Sequence, residues 1–257
     1  IGKNILYPYL EKEGVFKLKG VFISHFDVDH CKSLPYLMDN MKIENIYLGY
    51  IRPGNIYYDE IIKKAESKGI PISILKIGDN FKLDHNTSIT VLGPSKEILN
   101  NPQNSENDLS MVLMLNYFDR NILFTGDIEK LGEKFLSQNI NEKVDFLKIP
   151  HHGSKTSSTE ELLDLMMPNI GFISVGRNNS FGHPHLEVLE RYNDRSIELY
   201  RTDELGLINL ALNKNDYDII PFIKKNLDII YILYHYGLFI VVFILYNIIF
   251  YYLTKYF

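Results

Sequence analysis

The amino-acid sequence predicts an α/β chain of the layered α+β kind, and three observations carry that expectation. Short apolar runs alternate with amphipathic helical stretches from residue 1 to about residue 220. The composition, 46% hydrophobic and 23% charged over 257 residues, supplies apolar material for one sizeable core. Six of the eight histidines fall into three short clusters, each following an apolar run, and loops at strand ends are where ligands gather.

In order along the chain, strands are expected at residues 20–24, 45–48, 73–76, 88–92, 111–117, 121–125, 145–149, 170–174, 197–201 and 206–210. Helices fill the gaps at residues 32–40, 57–68, 130–138, 158–167 and 185–192. The segment Asp84-His85-Asn86-Thr87 has the composition of a hairpin turn, and residues 100–108 form a polar loop. Nothing in this pattern marks a domain boundary, so residues 1–220 read as one domain.

The end of the chain differs. From residue 229 to 253 there is no Asp, Glu, Lys or Arg, and the run is long enough to cross a bilayer as a helix. Residues 226–257 are therefore expected to form a transmembrane helix and tail. The alternative of a buried C-terminal helix lacks the polar stripe that surface packing needs, and a frameshifted tail is a third reading. Lys224 and Lys225 before the run and Lys255 after it give too small a bias to set an orientation.

Charge and cysteine usage exclude some chemistries. A formal net charge of -5 argues against nucleic-acid binding through overall positive potential, although bound cations would reverse the local field of an acidic site. With Cys31 as the only cysteine, an intramolecular disulfide and a cysteine-based zinc site are both excluded. The chain starts on Ile1 and shows no signal peptide, so a lost start is expected.

Four segments carry candidate chemistry. In Ser24-His25-Phe26-Asp27-Val28-Asp29-His30, alternation puts His25, Asp27 and Asp29 on one side of an extended turn, with His30 entering a helix. Imidazole and carboxylate together suit zinc, manganese or iron. Thr125-Gly126-Asp127 places a carboxylate at a strand end, where its two oxygens can address two cations. In Pro150-His151-His152-Gly153-Ser154, adjacent histidines on an extended segment point opposite ways. His151 is expected to face the metals, and His152 to act behind it or on phosphate. In Gly182-His183-Pro184-His185, Gly182 and Pro184 stiffen the chain around His183.

Taken jointly, these segments resemble the metallo-β-lactamase superfamily, with Asp27 standing where its His-x-His-x-Asp-His signature has the second histidine. Ser-His-x-Asp-x-Asp-His, Asn107-Asp-Leu-Ser110, Thr-Gly-Asp, Pro-His-His-Gly-Ser and Gly-His-Pro-His together look like the C-terminal domain of ComEC-type competence proteins, from about Tyr7 to Leu210. The resemblance implies an αββα sandwich with a centre for two divalent cations, zinc or manganese. It implies that His25, Asp27 and His151 hold one cation, Asp29 and His183 the other, that His30 joins the second and that Asp127 bridges. Asp29, Asp127 and His152 would carry catalytic roles, and Asn107, Ser110, His152 and Ser154 would contact phosphate. Two departures stand out: the family's opening Asp-x-Gly-Gln-Gly-Asp strand and its partner are absent, which would expose a sheet edge, and the isolated histidine expected near Asn107 and Ser110 is missing.

The function so implied is hydrolysis of DNA phosphodiesters during competence DNA uptake, by a membrane-anchored hydrolase on the extracytoplasmic face beside a channel partner. A hydrolase of lactones, β-lactams or other small esters is the second reading. An inactive membrane-anchored remnant is the third.

Overall fold

The computed structural model of the chain describes residues 1–223. In chain order its strands are β1 (Lys17–Leu18), β2 (Val21–Ile23), β3 (Lys42–Ile43), β4 (Ile46–Leu48), β5 (Ile72–Ile74), β6 (Asn80–Lys82), β7 (Thr87–Gly93), β8 (Val112–Tyr117), β9 (Arg120–Phe124), β10 (Phe146–Lys148), β11 (Ile170–Ile173), β12 (Glu198–Arg201), β13 (Ile208–Leu212) and β14 (Tyr217–Pro221). A seven-stranded sheet runs β12-β11-β10-β9-β8-β7-β6, and a three-stranded sheet runs β2-β4-β5. The members of the smaller sheet are parallel, as are β9, β10, β11 and β12, whereas β6 to β9 form an antiparallel meander.

Side-chain alternation sorts each strand onto two faces and so builds the layers. On β9, β10 and β11 the residues Leu123, Leu147 and Ile173 share a core with Leu136, Leu162, Leu163, Met166, Val188 and Tyr192. Those partners lie in or beside the helices Lys130–Ser137, Glu160–Met166 and Leu186–Asp194, which cover one face of the large sheet. The intervening residues Ile122, Phe146 and Ile170 turn to the opposite face and pack under Leu210, Leu212, Tyr217 and Ile219 of the β13-β14 hairpin. Further along that face, Val91, Met111 and Leu113 meet Phe22 and Tyr47 of the small sheet. The small sheet's other side is closed by the helices Leu34–Asn40 and Ile56–Lys68 through Leu37, Met38, Ile61 and Ala65. The result is the expected helix, sheet, sheet, helix order.

Differences from the sequence reading have local causes. The helix expected at 32–40 is two, Val28–Cys31 and Leu34–Asn40, because Pro35 lacks an N–H and is accommodated in the first turn of a new helix. The expected turn after residue 83 does join a hairpin, with Lys82 opposite Ser88. The short strands β1, β3, β6 and β14 were not anticipated. The apolar run at 229–253 lies outside the described residues, and among the described residues no helix is long and apolar enough to cross a membrane.

Leu147 is fully buried on β10, the strand that leads to the second histidine pair. Leu147→Ala should lower unfolding free energy by about 2–5 kcal/mol, the range for truncating a core leucine. Urea denaturation measures this; a change under about 1 kcal/mol would place β10 outside the cooperative core.

Candidate metal centre

Parallel strands bring their C-terminal ends to one edge, and each chemical segment begins where such a strand stops. Residues Ser24 to His30 follow β2, Thr125 to Asp127 follow β9, Pro150 to Ser154 follow β10, and Ser174 follows β11. Asp27 occupies the N-cap position of the helix Val28–Cys31, yet its carboxylate makes no cap hydrogen bond. Gly126 has φ +57°, and a Cβ there would stand 2.6 Å from that of Ser110, so the turn admits only glycine. At Gly153, φ +79°, a Cβ would meet Pro184 at 2.6 Å; this close approach seats the His183 loop against the His151-His152 turn.

Three imidazoles are fixed from behind through Nδ1. His25 Nδ1 lies 3.1 Å from Ser24 Oγ and 3.2 Å from Ser110 Oγ, His30 Nδ1 lies 3.1 Å from Ser24 Oγ, and His152 Nδ1 donates to the Ser174 carbonyl. Their Nε2 atoms converge. His30 Nε2 is 3.1 Å from Asp127 Oδ2 and 3.5 Å from Asp29 Oδ2. His152 Nε2 is 3.0 Å and 3.2 Å from the same two oxygens, and His25 Nε2 is 3.7 Å from Asp27 Oδ2. His25, His30 and Asp127 present donor atoms within 4.8 Å of one another, and so do Asp29, His30 and His152.

This donor set fits divalent cations. With His152 Nδ1–H committed to a carbonyl, Nε2 is left facing two carboxylates, so acceptors face acceptors unless a proton or a cation stands between them. Neither His25 Nε2 nor His152 Nε2 makes a hydrogen bond, although both are buried, and such orphaned atoms call for a positive partner.

The electrostatics agree. Burial alone would lower the His152 imidazole, but the Asp127 and Asp29 carboxylates outweigh it and push its pKa up to about 9. Burial would raise Asp127, yet contacts from His152 and His30 and the Lys148 ammonium hold it well below the usual carboxylate range. Lys148 Nζ donates to Asp127 Oδ1 at 3.2 Å and to the Gly126 carbonyl at 2.9 Å. Asp29 is held down to about 2, chiefly by His152. Burial and then Asp29 and Glu106 raise Asp27. Burial, reinforced by His30, lowers His25 to about 3, which leaves it neutral at pH 7. His183 is likewise lowered to about 4 by burial and by His151.

The structure thus gathers His25, Asp27, Asp29, His30, Asp127 and His152. His151 does not turn Nδ1 to these groups: that atom lies 3.3 Å from Glu129 Oε1 and 3.4 Å from Thr156 Oγ1. The expected alternation fails because His151 and His152 are not extended but left-handed, with φ 45° and 55°, so it is His152 whose Nε2 meets the carboxylates. His183 stands beside the cluster, its ring 5.5 Å from that of His151 and 6.4 Å from that of His152.

Two residues expected to contact phosphate are buried and hold other partners. Ser110 is fully buried, its hydroxyl lying against His25 Nδ1 while accepting from the Asp127 N–H at 3.0 Å. Ser154 is buried and bonded to Thr156 Oγ1 at 2.9 Å. Asn107 opens the short 3-10 turn Asn107–Leu109 that delivers Ser110, and it is half-buried. Sequence reasoning gave no role to Ser24, Lys148, Glu129 or Ser174. Lys148 alone left a signal, as a lysine inside an otherwise apolar run.

Residues 2–177 match the family model of the metallo-beta-lactamase superfamily. The chain is 31% identical over 211 residues to ComE operon protein 3 of Bacillus subtilis, covering 81% of this chain and 26% of that protein. It is 30% identical over 186 residues to Recombination protein 2 of Haemophilus influenzae, covering 72% and 21%. Competence protein ComA of Neisseria gonorrhoeae is 27% identical over 219 residues, covering 81% and 27%. The chain spans about a quarter of the length of these relatives.

Because His152 carries a proton up to about pH 9 without metal, a cation must displace it. Metal affinity should therefore rise with pH below 9, about tenfold per unit for one proton released. Chelator competition at several pH values, with calorimetry in two buffers to count protons, checks this; an affinity flat between pH 6 and 8 contradicts it. Ser110→Ala removes the hydroxyl shared by His25 and Asp127 and should weaken metal binding by about 10–100-fold in a folded protein, measured by the same competition.

Proposed function

Since the chain belongs to the metallo-β-lactamase superfamily, we propose that it is a metal-dependent phosphodiesterase acting on DNA in competence-type uptake. The observation that carries the reading is the meeting of His25, His30 and His152 Nε2 with the Asp29 and Asp127 oxygens, two of those nitrogens being buried without a hydrogen bond. Asp29, His30 and His152 would hold one cation and His25 and Asp27 the other, with Asp127 between them. Imidazole and carboxylate donors without thiolate suit zinc or manganese. Such cations lower the pKa of water and offset the charge that builds on phosphoryl oxygens.

The chain's own groups fit an anionic substrate. Lys148 secures Asp127 from the strand side, so its carboxylate keeps its place while the other oxygen faces the histidines. His183, held neutral at pH 7, and His151 flank the cluster with ring nitrogens that can donate to phosphoryl oxygens. Relatives named for competence and recombination support DNA as the substrate. Attachment to the membrane through the run at 229–253, a place on the extracytoplasmic face and a channel partner complete the proposal.

Protein dialysed against chelator should hydrolyse neither bis(p-nitrophenyl) phosphate nor an oligonucleotide, and Mn or Zn should restore both activities. Asp127→Asn should lose more than the roughly 10–100-fold that changes behind the metal ligands cost, with its unfolding transition retained. Faster hydrolysis of a lactone or β-lactam than of either phosphodiester would replace this reading by that of a small-ester hydrolase. Full activity in the chelated protein would end it.

A further inference from the structure

Phe181 is 75% exposed. A lone exposed phenylalanine needs no explanation, but this one extends a series of rings. Its ring lies on His183, centroids 5.7 Å and planes 26° apart, and His183 stands 6.4 Å from His152 with planes 22° apart. Near-parallel rings thus lead from a proposed metal ligand out to solvent, and the last of them is apolar. The loop that carries them is braced: Asn179 Nδ2 donates to the His183 carbonyl at 2.6 Å, and the His183 N–H donates to Asn179 Oδ1 at 3.0 Å. The His185 N–H donates to the Gly153 carbonyl at 3.0 Å, which ties the loop to the His151-His152 turn.

We propose that the exposed face of Phe181 is a stacking platform for an unpaired nucleobase beside the phosphodiester being cut, so that the protein prefers single-stranded to duplex nucleic acid. The proposal rests on the phosphodiesterase reading and extends it to substrate form. A nucleotide offers an anionic phosphodiester and a flat π-system joined by one sugar, and this site pairs a cation-seeking cluster with a flat ring. Phenyl carries no hydrogen-bonding group, so it accepts any base. Bases in a duplex are already stacked and paired, and their faces are unavailable to it.

Fluorescence anisotropy with the full, Mn-loaded chain tests this, using a labelled oligothymidylate and an abasic chain of the same length, with cleavage followed in parallel. Phe181→Ala should weaken oligothymidylate binding about tenfold, within the range for losing one stacked base. Phe181→Trp should keep the affinity, Phe181→Leu should behave as the alanine variant, and the abasic chain should not distinguish alanine from phenylalanine. Unchanged oligothymidylate binding in Phe181→Ala, equal losses on both chains, or recovery by leucine overturns the platform. Wild type that binds oligothymidylate without cutting it defeats the phosphodiesterase reading while the stacking comparison stands, and wild type that binds neither chain defeats both.

Discussion

Two carboxylates turned toward imidazole nitrogens set the terms for this fold. Asp127 is nearly buried, and an anion removed from water is expensive unless a positive group meets it. Lys148 meets one of its oxygens. The other faces His30 and His152, as does Asp29. The elevated His152 pKa measures how strongly that point draws positive charge when only a proton is at hand. A divalent cation answers the same demand with more charge and several donors at once.

The architecture exists to hold those atoms still. His25 comes from the small sheet and Asp127 from the large one, and the Ser110 hydroxyl joins them by touching the ring of the first and the backbone of the second. Ser24 holds both His25 and His30 through one hydroxyl. Gly126 allows this proximity, because any side chain there would strike Ser110. Facing sheets, rigid through their buried alternate residues, thereby fix a polar cluster at their common edge. The chain is accordingly a metal-dependent hydrolase fold related to competence proteins.

Much of this was legible in the sequence, and the misses share a cause. Strands β8 to β11 were found because their residues alternate between two apolar environments and keep a clear period. By contrast, β1 and β3 have two residues each, too few to show a period, so local pattern gave little purchase. Clusters at strand ends exposed His25, Asp29, His30 and Asp127. The order of His151 and His152 was not readable, since left-handed backbone at both residues overrides the alternation of an extended chain. That the Ser110 hydroxyl lies against His25 and the Asp127 N–H was not readable either, since both partners are far along the chain and no local signal reports them.

The central claim is that these side chains hold two cations. Crystals grown with manganese, with diffraction recorded at a wavelength where manganese scatters anomalously, would locate them. The account predicts two peaks, one against Asp29, His30 and His152 and one against His25 and Asp27, with Asp127 touching both. A cleft without a peak, or manganese seated on His151 and His183 instead, would contradict it.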